Sequence, residues 1–422
     1  MAAILFSVFI VLLVLGVPVA FSIVAAAGIT VFTGLGDAKM MIVIQRMFEA
    51  CNSTALTAVP FFILAGDLMS KGKISKVLVE FCGSLLGWLK GGLSVVSVLA
   101  GMFFAAISGS GAATTAAVGG TLVPELQKRG YKEDSAAALI AAAGTIGVVI
   151  PPSVPMVLYA VIAEESVNRL FKAGFVPGIL MGTVLIVIAI VQAYRENYPK
   201  GALFSLKNVL KTFVIAIPGI LMPLIILGGI FSGIFTPTEA AAVAVVYSLF
   251  VSFVIYRDLS LKQLYKIMLG SARTSAVIMI IIGCSGAFGW VLANWKIPQA
   301  ISTAVLSVSS NKYIILFLIS MIILIAGVFM ETSSAIILLT PVFLPLIRSL
   351  GISTLHFGIL FVVGIAIGMI TPPVAINLYV ATGITGQPIE KISKAVVPYL
   401  LGLVAVFLFI VYGPLFIPGF IA

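Results

Sequence analysis

Two sets of residues in this chain combine oxygen-bearing side chains with helix breakers, in segments that carry almost no charge. The first set joins Ser108, Ser110 and Thr114, within ISGSGAATTAAVGG (107–120), to the double proline Pro151–Pro152 of GTIGVVIPPSVPMVLY (144–159). A proline inside a helix removes one hydrogen bond and crowds the preceding turn, at about 3 kcal/mol. Two in succession leave the carbonyls of residues such as Gly147, Val148 and Ile150 without helical partners. In lipid that costs several kcal/mol per group unless a cation, a water or a hydroxyl takes the oxygen. Bare carbonyls at the C-terminal end of a half-helix form a ligand set for a hard monovalent cation such as Na+, and the half-helix dipole adds to the attraction.

The second set is built alike. GMITPPVAINLY (368–379) carries Gly368, Thr371, Pro372 and Pro373, and GVFMETSS (327–334) carries Glu331, Thr332 and Ser333. An offset of 221 residues superposes Pro151 on Pro372 and, without a gap, Pro124 on Pro345, Gly130 on Gly351, Gly147 on Gly368 and Pro177 on Pro398. A slightly different offset superposes GDLMSKGKI (66–74) on GWVLANWKI (289–297). The chain is therefore two versions of one unit. Their loops differ in charge: Lys128, Arg129 and Lys132 in the first face a lone Arg348 in the second, and the three lysines of 71–76 face Lys296. Basic loops stay cytoplasmic, so matched loops lie on opposite faces and the repeat is inverted. Inverted repeats hold substrate and coupling ions near the bilayer midplane. An intramembrane carboxylate such as Glu331 is a functional candidate by default.

The elements that position these residues follow from composition. The 422-residue chain is 61% hydrophobic and 9% charged, with mean hydropathy +1.26, whereas soluble domains carry about 25% charged residues. Apolar runs (4–31, 180–194, 213–235, 240–256, 314–329, 400–417) approach the length of a membrane span, and strand-like alternation is absent, so helices must span. The first 20 residues have no basic leader and read as a retained membrane helix. Short apolar flanks around Ser108–Gly111 make 91–127 a re-entrant hairpin with Ser108, Ser110 and Thr114 at its tip, followed by a broken helix over 135–163. The second repeat places its hairpin at about 312–347 and its broken helix at 354–384. The expected organisation is a first repeat over 1–205 and a second over 206–422. The amphipathic stretch 74–90 reads as an arm along the interface that lets one part of the molecule move against another. Glu239 reads as a helix-start residue beside Thr236 or Thr238; Asp67, Arg46 and Arg273 as interface or inter-helix partners; Trp88, Trp290 and Trp295 as interfacial anchors. The isolated Cys51, Cys82 and Cys284 suit small buried hydrophobes.

ISGSGAATTAAVGG, IPPSVPMVLYAV, GGIFSGIFTPTEAAAVA and GMITPPVAINLYV together closely resemble the large membrane subunit of tripartite ATP-independent periplasmic (TRAP) transporters, over nearly the whole chain. The resemblance implies an all-α polytopic protein of the bacterial inner membrane, with scaffold and transport parts and an elevator-type motion. It implies Na+-coupled import of an organic acid, such as a C4-dicarboxylate or sialic acid. Its expected partners are a small four-helix membrane subunit, here a separate chain because Met1 begins at the large subunit's first helix, a soluble periplasmic binding protein and the membrane lipids. No cofactor is implied beyond Na+ as coupling ion. Matched residue by residue, the first Na+ site falls on Ser108, Ser110, Gly147, Ile150 and Pro152, and the second on Glu331, Thr332, Gly368, Thr371 and Pro373. Candidate substrate contacts are Gly109, Gly111, Thr114, Pro151, Ser153, Ser333, Pro372 and Asn377. The alternative within this class is a proton-coupled or binding-protein-independent anion transporter.

Other classes lack their residues. There is no P-loop, no HExxH, no cysteine cluster, and His356 is the single histidine, which argues against an enzyme. The +10 net charge is spread over short loops rather than gathered into a nucleic-acid patch. A passive channel would need a filter-forming motif, and a scaffold would not need matched proline breaks.

Overall fold

The computed structural model describes residues 1–201, 203–308 and 311–416; within the expected second repeat, 309–310 and 417–422 lie outside it. The described residues are helical apart from turns and one isolated bridge between Lys90 and Lys200. Seven of the helices are long and apolar enough to cross a membrane.

The first apolar run divides where a single helix was expected. Gly16 at φ 79° turns the chain and Pro18 starts a new helix, giving α1 (Ala2–Val14) and α2 (Val19–Leu35) packed side by side. Next come α3 (Met41–Cys51) and α4 (Ala58–Ser70), bent by 62° at the intervening break. The arm is α5 (Lys73–Leu86), which presents one buried face. Then follow α6 (Gly92–Ser108), α7 (Gly111–Lys128), α8 (Glu133–Thr145), α9 (Val154–Ala163) and the long α10 (Val167–Arg195).

The second half contains α11 (Leu206–Phe231), α12 (Pro237–Phe250), α13 (Leu261–Asn294) and α14 (Ile297–Val308). After these come α15 (Lys312–Phe329), α16 (Thr332–Ser349), α17 (Thr354–Gly368), α18 (Ile376–Thr385) and α19 (Ile389–Phe416). Local chemistry sets several starts. Thr236 and Glu239 close a capping box on α12 with Pro237 in its first turn, which is the expected role of Glu239. Ser260 and Gln263 do the same for α13.

The two repeats fold as mates. In each, a hairpin (α6–α7, α15–α16) precedes a broken helix (α8–α9, α17–α18). The Thr354 hydroxyl, at the start of α17, donates to Glu165 just past the end of α9 (2.7 Å), and the Tyr159 hydroxyl donates to the Thr354 carbonyl (2.7 Å). At the other end, the Gln387 amide past α18 donates to Glu133 at the start of α8. Each broken helix therefore begins where the other finishes. They run antiparallel, which is the inverted relation read from the loop charges. The packing is reciprocal too: α7 lies on α18, and α16 on α9.

The core sits in these broken helices. Every residue of α17 from Leu355 to Gly368 is buried, as befits a helix that is apolar all round and wrapped by protein. His356 is among them, and its Nε2 is satisfied by the Ile410 carbonyl at 2.9 Å, a packing role. Around this core, α4 packs on α12, α13 on α2 and α3, and α5 on α6 and α11. Asp67 of α4 accepts from the Ser271 hydroxyl of α13 (2.6 Å), as expected of an inter-helix partner, whereas Arg46 pairs with Glu49 of its own helix (2.7 Å) and Arg273 is exposed.

Candidate functional site

The first hairpin turns over two residues. Gly109, at φ 59°, ends α6, and the Ser110 hydroxyl caps α7 through the Ala113 N–H. Glycine is required at 109 twice over: the conformation is left-handed, and a Cβ there would lie 2.9 Å from the Pro152 carbonyl oxygen. The tip is thus pressed onto the first break. The Ser108 hydroxyl meets the Thr114 hydroxyl at 2.8 Å and the Ser110 carbonyl at 3.2 Å. Gly147 faces the same group, since a Cβ on it would stand 2.5 Å from Thr114 Oγ1 and 2.6 Å from the Ser110 carbonyl oxygen. Four of the sequence-predicted residues, Ser108, Ser110, Thr114 and Gly147, therefore meet in one buried nest of oxygens. Thr114, read as a substrate contact, belongs to this nest and is fully buried.

The break supplies further oxygens. Past α8 a single 3-10 turn (Ile146–Val148) leads into Pro151–Pro152, whose peptide is cis, and the whole segment is buried. Among the described residues no donor reaches the carbonyls of Gly147, Val149 or Ile150. Val148 departs from expectation: the Ser153 hydroxyl donates to its carbonyl at 2.5 Å and also caps α9 through the Met156 N–H. Ser153 is fully buried in this role. Uncharged oxygens packed without carboxylates suit a weakly charged hard cation.

The second break repeats this pattern only in part. The Gly368 carbonyl accepts the Thr371 N–H (3.0 Å), the Ile367 carbonyl accepts the Ile370 N–H and the Thr371 hydroxyl, and the Met369 carbonyl accepts the Asn377 N–H. These three oxygens are satisfied by protein, whereas among the described residues no donor reaches the carbonyls of Ile370 or Thr371, the mates of Val149 and Ile150; Pro373 is exposed while Pro372 is half-buried. Asn377 is fully buried and donates to the Ala141 carbonyl of α8, tying the two repeats together. Glu331 caps its own helix, accepting from the N–H groups of Ser333 (2.9 Å) and Ser334 (3.1 Å) and from the Ser333 hydroxyl. Glu331→Gln keeps an acceptor for these donors and is expected to unfold at the wild-type temperature. Glu331→Ala removes a cap worth about 1 kcal/mol, a fall of about 2 °C in the thermal midpoint.

Both tips open into one cavity of about 260 Å³. Four helices begin on its wall: α7 at Gly111, α9 at Val154, α16 at Thr332 and α18 at Ile376. Helix N-termini carry unsatisfied N–H groups and a positive end, which favour anions. On α7 the N–H groups of Gly111 and Ala112 have no protein acceptor among the described residues, whereas those of α16 are taken by Glu331. The anion-attracting end of the cavity is therefore the first tip.

Several wall residues escaped the sequence reading. Met369 joins the two tips: its sulfur accepts from the Thr332 hydroxyl (3.3 Å), and its methyl would touch a Cβ on Gly111. Gly66 of α4 comes so near the first tip that a Cβ would lie 3.0 Å from the backbone of Ser108. Asp67 and Thr274 complete the wall from α4 and α13. The one available signal was GDLMSKGKI, whose match to the second repeat marks duplication but not a cavity wall.

A family profile described as tripartite ATP-independent periplasmic transporter, DctM component, matches residues 6–416. The chain is 40% identical over 423 residues to the isethionate TRAP transporter permease protein DctMQ of Oleidesulfovibrio alaskensis, covering 99% of this chain and 66% of that protein, about two thirds of its length. It is 41% identical over 369 residues to the C4-dicarboxylate TRAP transporter large permease protein DctM of Pseudomonas aeruginosa, covering 87% of this chain and 86% of that one. In fold it is similar to the YdaH transporter of Alcanivorax borkumensis, with TM-score 0.65, 14% identity and coverage of 91% and 90% of the two chains.

Proposed function

The chain belongs to the DctM component family of tripartite ATP-independent periplasmic transporters, and on that footing we propose that it is the Na+-coupled import route for a small organic acid anion. It is a multi-pass permease of the inner membrane, not an enzyme. In this reading a periplasmic binding protein delivers the acid, a small membrane subunit completes the complex, and Na+ enters with the substrate as cargo.

The observation that carries the reading is the cavity on which both hairpin tips and four helix N-termini converge. A carboxylate fits the free N–H groups of Gly111 and Ala112 and the positive end of α7. Na+ fits the oxygen nest of Ser108, Ser110, Thr114 and Gly147, with the open carbonyl of Ile150 nearby in the chain. The coupling has a physical reason. Glu331 and Asp67 place two carboxylates on the wall, so an anion entering alone meets like charge in a low dielectric. A cation bound first orders the tip against the break and offsets that repulsion. The volume, about 260 Å³, is below the usual range for drug-sized ligands, about 300–1,000 Å³, and favours a four-carbon acid over a nine-carbon sugar acid.

Release to the other side requires the hairpins and broken helices to move as one body against the remaining helices. The glycine approach of α4 to the Ser108 backbone offers that motion a smooth surface, and the helical arm α5 links the moving and fixed parts. The test is uptake of a labelled C4-dicarboxylate into proteoliposomes holding the chain with its partner proteins. Replacing external Na+ by K+ is expected to cut the rate at least about tenfold, which is about 1.4 kcal/mol of coupling. Uptake that persists in K+ but collapses with the pH gradient would establish the proton-coupled alternative instead.

A further inference from the structure

Away from the central cavity, a hollow of about 470 Å³ lies between α5 and α11 on one side and α6 and α7 on the other. Its walls carry four charges of balanced sign, Lys76 and Glu80 from α5, Glu125 from α7 and Arg129 just past its end. Arg129 Nε meets Glu125 at 3.1 Å, which leaves the terminal guanidinium nitrogens and one carboxylate oxygen uncommitted. Among the described residues no ion pair engages Lys76 or Glu80. The deep wall is apolar, with Val79 and Leu122, and the rim carries Trp88, Phe204 and Leu203, the last 96% exposed.

From this arrangement we infer that the hollow binds one phospholipid with a zwitterionic, primary-ammonium headgroup of the phosphatidylethanolamine type. Lys76 and Arg129 hold the phosphate, and Glu80 and Glu125 hold the ammonium, whose three N–H donors need acceptors. The acyl chains run over Val79 and Leu122 and leave past Leu203 and Phe204, an exposed apolar rim with an aromatic at headgroup level. An anionic headgroup brings no cation for Glu80 and Glu125 and leaves the hollow with net negative charge. A choline headgroup has no N–H to donate. Lys73 precedes Lys76, and Lys128 and Lys132 flank Arg129, in the chain; such short basic segments stay cytoplasmic, which puts the hollow at the cytoplasmic leaflet. The lipid would bridge the arm and the first hairpin, parts that the proposed transport motion slides past one another.

The experiment is native mass spectrometry of the purified protein, with its small subunit present, titrated with phosphatidylethanolamine, phosphatidylcholine and phosphatidylglycerol of one chain length. Phosphatidylethanolamine is expected to be retained about tenfold over both others. The double variant Lys76→Gln with Arg129→Gln should lose that retention about tenfold. Glu80→Gln with Glu125→Gln should invert the order so that phosphatidylglycerol binds best. Lys76→Gln alone, at an exposed position, carries the test should a double variant fail to fold. Equal retention of the three lipids, or phosphatidylglycerol preferred by the wild type, overturns the inference. So does displacement by water-soluble glycerophosphoethanolamine at equal concentration, which would assign the hollow to a soluble phosphate ester. Retention only by the large subunit freed of its small partner would overturn it too, assigning the hollow to a protein interface.

Discussion

Gly147→Ala is expected to lower Na+-dependent uptake at least about tenfold while the protein still folds and inserts. The added Cβ would stand 2.5 Å from Thr114 Oγ1 and 2.6 Å from the Ser110 carbonyl oxygen, distances that real Cβ atoms do not adopt. The tip must therefore retreat, and it retreats from the oxygens assigned to the cation. Overpacking of this kind costs about 1–3 kcal/mol. The cost falls mainly on the ion-bound state, because the tip is a short turn at the edge of the cavity while α8 behind it stays packed. Uptake measured across a Na+ titration should show the apparent Na+ affinity falling with little change in thermal midpoint. Wild-type Na+ dependence in this variant would remove Gly147 from the site. Gly120→Ala, where a Cβ meets nothing within 4 Å, is the control and should be silent.

The mate of Gly147 in the second repeat predicts a different failure. A Cβ on Gly368 would lie 2.4 Å from both the Cα and the carbonyl carbon of Gly327, where α15 crosses the end of α17. Both obstructing atoms are backbone, so no side-chain rotation relieves the contact. Gly327 is bound by the same constraint, with a Cβ 2.9 Å from the Ile365 carbonyl oxygen. Gly368→Ala should therefore separate two helices at a fully buried crossing, at about 3 kcal/mol or more, and lower the thermal midpoint by about 6 °C or more. Folded protein recovered from membranes should fall with it. A variant with the wild-type midpoint but impaired transport would instead make Gly368 a site residue like Gly147. The two glycines are equivalent by sequence offset, yet one is pressed against the hydroxyl and carbonyl oxygens of a hairpin tip and the other against the Cα and carbonyl carbon of a crossing helix.

That contrast marks the limit of what the repeat makes legible. The oxygen nest was readable at Ser108, Ser110 and Gly147 because hydroxyls, glycines and prolines declare local departures from a helix. At the second break the same local departures occur, with different partners for the freed oxygens. Its prolines break the helix, Thr371 and Asn377 return donors to the Gly368 and Met369 carbonyls, and those of Ile370 and Thr371 stay open among the described residues. At the first break Ser153 reclaims only Val148. Glu331 was visible as a lone carboxylate in an apolar run, whereas its engagement with the N–H groups of Ser333 and Ser334 was not. The opening apolar run was long enough for one span, and the turn at Gly16 and Pro18 made two short helices of it.

The amino-acid sequence alone determined that this chain lives in lipid, that it is duplicated, that its halves are inverted, and where its helices break. All of these rest on short-range effects: transfer of apolar side chains, prolines that cannot donate, and basic loops that stay on one side of a membrane. Only the tertiary structure decided which freed carbonyls remain open, that α4 and α13 close the cavity through Gly66, Asp67 and Thr274, and that Met369 joins the two tips. Those outcomes depend on contacts between residues far apart in the chain. Hydrogen-bond partners are chosen within a few tenths of an ångström, and the packing of whole helices, not the identity of neighbouring residues, sets that distance.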